Sequence, residues 1–133
     1  MTLLSHPQRL AICRLDPRAL LPKWLPESPF HSVTRTPHEL SIVCEDGPHI
    51  PDEVRREGDW RILEVQGPLP FTAVGILAAL TENLAAAGVS VFVLSTFDTD
   101  YVLVKDAQFE QAMEALCACG HTVRHGPGGQ APK

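Results

Sequence analysis

The chain has 133 residues, 44% of them hydrophobic and 20% charged, and 11 Lys and Arg against 16 Asp and Glu leave a net charge of −5. That composition is globular, and the length suits one ordinary domain or two very small ones sharing a core. An acidic balance without a basic patch argues against nucleic acid or an anionic membrane as a partner.

In chain order, Leu10–Leu15 reads as a strand. Asp16-Pro17 follows as an N-cap and N1 proline, but Pro22, Pro26 and Pro29 stop any helix after about a turn. Ser32–Thr36 and Leu40–Glu45 are two strands around Pro37-His38-Glu39, and Pro51–Glu57 offers a short helix ending at Gly58.

Trp60–Gln66 alternates apolar and polar residues and predicts a strand. Gly67-Pro68-Leu69-Pro70 forms a loop into a helix from Phe71 to Ala87, with Val74, Leu77, Leu80 and Leu84 on its apolar face and Gly88 as its stop. Val89–Leu94 is a buried strand and Tyr101–Lys105 the next. Asp106 caps a helix that carries Phe109, Ala112, Met113 and Leu116, Gly120 ends it, and His121–His125 forms a last strand. The order β-α-β-β-α-β is the ferredoxin-like pattern.

Between the strands at 89–94 and 101–105 lies Ser95-Thr96-Phe97-Asp98-Thr99-Asp100. One aspartate can serve a turn by bonding its own backbone, but two carboxylates with two threonines and an aromatic suit holding something polar. The earlier stretch Ser32-Val33-Thr34-Arg35-Thr36-Pro37-His38-Glu39 echoes it, with Glu39 matching Asp100 at an offset of 61. This predicts a duplicated fold: a degenerate first unit at 1–58, a second at 59–125 and a disordered tail at 126–133. Each unit alone would bury a marginal core, so Trp24 and Trp60 are expected to pack where the copies join.

No apolar run approaches the roughly 20 residues of a membrane span, and the start, Met1-Thr2-Leu3-Leu4-Ser5-His6-Pro7, lacks a secretion signal's basic region and apolar core. A cytoplasmic location is expected. Cys13, Cys44, Cys117 and Cys119 then read as free thiols used as small hydrophobes. Cys117-x-Cys119-x-His121 lacks a second ligand pair with zinc spacing, so neither a metal nor another cofactor is expected. No Ser/His/Asp or Cys/His spacing proposes a catalytic centre, so an enzyme is not expected either.

With these residues in place, the chain resembles a tandem ACT-domain protein. It is similar to small bacterial stand-alone ACT proteins related to the CASTOR-type arginine sensors and to the regulatory region of aspartate kinase. The resemblance is good from Trp60 to Arg124, and its motif is Ser95-Thr96-Phe97-Asp98-Thr99-Asp100-Tyr101-Val102-Leu103-Val104. It implies an α/β (α+β) fold of two ferredoxin-like ACT units, with antiparallel sheets and helices packed on one face. It also implies a small-molecule ligand, an amino acid, bound where the first strand-to-helix loop of one unit faces the second strand of a neighbouring unit.

Those positions are Gly67, Pro68, Leu69 and Phe71 in the loop, followed by Gly75, and Ser95, Thr96, Phe97, Asp98 and Asp100 at the turn. In the CASTOR-type sensors a Thr-Phe pair with an aspartate three residues beyond the Phe contacts arginine, which falls on Thr96, Phe97 and Asp100. Chemistry agrees: amides at Leu69–Thr72 suit an α-carboxylate, an aspartate suits an ammonium group, and Phe97 or Tyr101 suits an aliphatic stem. The resemblance further implies a homodimer paired at sheet edges and a regulated enzyme as partner. The alternative is a ligand-free interaction or oligomerisation module.

Overall fold

In the computed structural model, residues 1–70 and 74–126 are described. They form seven strands and two helices: β1 (Thr2–Leu15), β2 (His31–Arg35), β3 (Leu40–Glu45), β4 (Arg55–Val65), α1 (Ile76–Ala86), β5 (Val91–Ser95), β6 (Asp100–Lys105), α2 (Phe109–Ala118) and β7 (Thr122–His125). The chain divides into two compact units, Arg9–Asp59 and Met1–Gln8 with Trp60–Lys133.

The larger unit follows the ferredoxin-like order β4-α1-β5-β6-α2-β7. β6 is antiparallel to both β4 and β5, with Leu63 opposite Val102 and Val93 opposite Val102 from the other side. The start of β1 is inserted between β4 and β7. Thr2–Ser5 runs parallel to Thr122–His125, and the Gln66 amide donates to the Thr2 carbonyl (2.9 Å). Leu3, Leu63, Val65, Leu80, Leu84, Val102, Val104, Phe109, Ala112 and Leu116 make its core, so both helices turn their apolar stripe onto one face of the sheet. Trp60 packs on Phe92 within this unit, with the Lys105 ammonium 4.9 Å above its ring.

In the smaller unit the strand order is β2-β3-β1, antiparallel throughout, with Cys13 opposite Ile42 and Val33 opposite Ile42. Its core is Ala11, Cys13, Leu25, Leu40, Ile42, Cys44 and Ile50, and Trp24 stacks edge-on against His49. Both tryptophans therefore pack on partners of their own unit. Asp16 opens a turn, its Oδ1 accepting from the Arg18 amide (2.8 Å), but only a 3-10 turn at Leu25–Glu27 follows, since successive prolines remove helical donors.

The structure departs from the sequence expectations at several elements. β1 is 14 residues long and not confined to Leu10–Leu15, because its first half is stabilised by pairing with β7, a partner remote in sequence. Pro51–Glu57 holds a turn, with the Val54 amide on the Pro51 carbonyl (3.0 Å), and then enters β4. α1 begins at Ile76, behind Gly75 at φ 80°, a left-handed conformation natural to glycine. Val74 is consequently 92% exposed and not on the buried face. Asp106 sits inside a 3-10 turn and pairs with Arg61 (3.2 Å) without capping α2. Cys117 and Cys119 are exposed, so only Cys13 and Cys44 act as core residues. Apart from Gly126, the expected tail lies outside the described residues.

Candidate functional site

The β4–α1 loop and the β5–β6 turn meet in the larger unit. At the turn, the Thr96 amide donates to the Thr99 carbonyl (2.8 Å), and the Thr96 hydroxyl receives the Thr99 amide (3.3 Å), leaving Phe97 and Asp98 at the tip. The Leu69 amide then donates to the Asp98 carbonyl (2.6 Å), and the buried Thr99 hydroxyl donates to the Val65 carbonyl (2.5 Å). These two bonds fasten the loop to the turn. Gly67 is needed for the fit, since a Cβ there would lie 3.0 Å from the Asp98 carbonyl oxygen and 3.2 Å from the Thr99 Cβ.

On one side of this junction opens a cleft of about 380 Å³ lined by Leu69, Pro70, Gly75–Ala78 and Ser95–Asp100. Its polar groups are of two kinds. The first turn of α1 brings the amides of Ile76, Leu77 and Ala78, which have no intrahelical acceptor and no side-chain cap. The β5–β6 turn brings Asp98 and Asp100 to the same cleft, the Asp100 carboxylate accepting from the Ser95 hydroxyl (2.6 Å). Leu69, Ile76, Leu77 and the 78% exposed ring of Phe97 supply apolar surface. Such a wall can receive an anion at the helix start and a cation at the turn.

A second cavity, about 320 Å³, lies against the same junction and is lined by Glu64, Gly67, Pro68, Thr96, Asp98, Thr99 and Tyr101. Burial, and then the charges of Glu64 and Asp98, push the Tyr101 phenol above its ordinary pKa. The Glu64 Oε1 pairs with His6 Nε2 at 2.8 Å.

Of the expected site residues, Leu69, Ser95, Thr96, Phe97, Asp98 and Asp100 share the first cleft, while Gly67 and Pro68 line the second. Phe71 lies outside the described residues. Of the expected amide donors, that of Leu69 is engaged by the Asp98 carbonyl and those of Phe71 and Thr72 lie outside the described residues, while the first turn of α1 presents the amides at 76–78 to the cleft. Thr99, Ile76, Leu77 and Glu64 were not foreseen. Glu64 stands directly opposite Tyr101 in the β4–β6 ladder, a pairing visible only once the register is known.

Comparison with known proteins places these residues in a family. The ACT domain model matches residues 55–118, a span that holds the whole cleft, and a model of an N-terminal domain matches 8–53. A solved protein from Agobacterium tumefaciens is 33% identical, with 98% of this chain and 97% of that chain aligned at a TM-score of 0.87. The chain is a small ACT-domain protein.

The chain is also similar to the human cytosolic arginine sensor for mTORC1 subunit 1, at 38% identity over 58 residues; the match covers 43% of this chain and only 18% of the sensor's length. The ACT fold itself recurs in the regulatory subunit of aspartate kinase from Thermus thermophilus, 11% identical with a TM-score of 0.58 over 85% of this chain and 93% of that one. In this ACT unit the β4–α1 loop and the β5–β6 turn are therefore the two sides of the cleft. Among the described residues, no helix is long and apolar enough to cross a membrane.

Proposed function

We propose that this ACT-domain protein is a sensor that binds a free amino acid in the 380 Å³ cleft and passes occupancy to a regulated enzyme. The observation that carries the reading is that one cleft is lined both by the uncapped helix start at Ile76–Ala78 and by the acidic residues Asp98 and Asp100. A zwitterion fits that polarity: its α-carboxylate faces the helix start and its ammonium group faces an aspartate. Leu69, Ile76 and Phe97 cover the side chain. Gly67 and Pro68 act by holding the loop on the turn, and residues 9–59 serve as a first copy without a ligand.

A thermal-shift screen of the proteinogenic amino acids tests this. A ligand at 100 times its Kd adds about 2.7 kcal/mol to stability, and Asp100→Ala weakens the binding by more than about tenfold. The exposed Phe97 and Val74 favour a second reading, an interaction module that works without a ligand and that pairs copies or partners through this rim. If no amino acid raises the melting temperature while Phe97→Ser abolishes self-association, that second reading replaces the first.

A further inference from the structure

The smaller unit holds a cleft of its own, about 240 Å³, lined by Ile12–Arg14, Glu39, Ser41 and the start of β4 at Arg55–Glu57. It takes the place that the second cavity has in the larger unit. Arg14 stands opposite Ser41 as Glu64 stands opposite Tyr101, and Ser41 and Tyr101 each lie one residue past the pair that closes their hairpin. The charge differs: Glu64 and Asp98 line the second cavity without a basic residue, whereas three arginines line this one beside Glu39 and Glu57. The arginines are not equally engaged. Arg14 Nη2 donates to the His38 carbonyl (3.0 Å), and Arg56 lies 3.8 Å from Asp46 and reaches the Ile50 carbonyl (3.4 Å). Arg55 is exposed, and among the described residues its guanidinium makes no hydrogen bond or ion pair. The half-buried Glu39 bonds through its backbone amide and carbonyl alone, which leaves its carboxylate unpaired among the described residues. An arginine and a glutamate thus line one cleft without pairing.

We propose that this cleft binds the free phosphate ion, a ligand distinct from the amino acid that this copy lacks. A guanidinium offers donors only, and an ionised carboxylate acceptors only. The ligand that satisfies both is an oxyanion that still carries a proton. Its oxygens accept charge-assisted bonds from Arg55 and the remaining donors of Arg14, and a further bond from the Ser41 hydroxyl. Its P–OH donates to the Glu39 carboxylate. At neutral pH both forms of phosphate keep such a hydroxyl, whereas sulfate has none and would set a bare oxygen against Glu39. The glutamate therefore selects between two ions of like shape by repelling one of them.

Calorimetric titration of the full chain with inorganic phosphate, at pH 7 and fixed ionic strength, is expected to give a saturable one-to-one isotherm. Sulfate should bind at least about tenfold more weakly, and Arg55→Gln should weaken phosphate by a similar factor. Arg18→Gln makes the same change of net charge at an exposed residue of the same unit outside the cleft, and should leave the isotherm unchanged. Both arginines are exposed, so neither variant is expected to lose the fold. Glu39→Gln offers sulfate a donor, and should cut the preference for phosphate to less than about twofold. Asp100→Ala should bind phosphate as the parent does, so this site and the amino-acid cleft stand or fall separately. No saturation by phosphate, equal affinity for sulfate in the parent chain, a preference that survives Glu39→Gln, or an equal loss from Arg18→Gln overturns the proposal.

Discussion

The hairpins at residues 31–45 and 91–105 have the same skeleton and hold different things. Both pair their strands in the same register, with Arg35 opposite Leu40 and Ser95 opposite Asp100, and both close with a threonine amide on a carbonyl three residues on, at Thr36–Glu39 (2.9 Å) and Thr96–Thr99 (2.8 Å). In the second hairpin the tip carbonyl of Asp98 accepts from the Leu69 amide, so a backbone loop is seated there. In the first, the corresponding His38 carbonyl accepts from the Arg14 guanidinium (3.0 Å), and Arg35 reaches across to the carbonyls of Pro17 and Ala19. Arginine side chains thus do in one unit what a loop does in the other. The turn is generic; the cleft comes from the loop resting on it.

The sharpest way to break the comparison is to exchange the residues that end the two turns. Leu40 is fully buried, whereas the corresponding Asp100 is half-buried and bonded to Ser95. Leu40→Asp removes core packing and strands a carboxylate, so it should cost the smaller unit about 4 kcal/mol in urea denaturation. The reciprocal Asp100→Leu should change stability by less than about 1 kcal/mol while abolishing the amino-acid thermal shift. Equal losses from the two exchanges would show that the turns are not equivalent after all.

Thr99 tests the fastening of loop to turn. Thr99→Val removes the buried hydroxyl's bond to the Val65 carbonyl and is expected to cost about 1–2 kcal/mol. The corresponding Glu39 is half-buried, and Glu39→Gln should stay within about 0.5 kcal/mol. Denaturation midpoints of the two variants give the comparison directly.

Much of the second hairpin and its loop could be read from the chain, because local signals there agree with the fold. The apolar runs at 91–95 and 100–105 are β-branched and aromatic, and the acids interrupt them where the chain must turn. The first hairpin misled by one residue. Aligning Glu39 with Asp100 matched acid to acid, but hydrogen bonding and register match Leu40 with Asp100 at an offset of 60, and Glu39 with Thr99. A one-residue slip of this kind is invisible to composition and reverses which side chain faces the core. The start of β1 escaped for another reason. His6-Pro7-Gln8 looks like a break, and the strand exists because β7 and β4 lie on either side of it. Glu64 and Thr99 were missed because their neighbours are set by strand pairing, not by sequence spacing.

Smaller effects probe what replaces the loop in the first hairpin. Arg35→Met leaves the exposed carbonyls of Pro17 and Ala19 to water, so it should cost no more than about 1 kcal/mol. A loss as large as that of Thr99→Val would mean that the guanidinium fastens its unit as firmly as the buried hydroxyl does.

The smallest expected effect is a pH response confined to one hairpin. Tyr101 is raised by burial and by the charges of Glu64 and Asp98, while the corresponding position in the first hairpin is Ser41, which does not titrate. A phenol with a folded pKa above its unfolded value near 10 binds its proton more tightly when folded. Its contribution is therefore fully present below pH 10 and is lost as pH rises from there through the folded value. Melting of the larger unit should fall more steeply above pH 10 than that of Tyr101→Phe, with the two curves parallel near neutrality. Because Tyr101 is half-buried, the difference should be small, and Arg35→Met should leave it untouched. A slope that survives in Tyr101→Phe would assign the alkaline loss to other groups and remove the phenol from the contrast between the two hairpins.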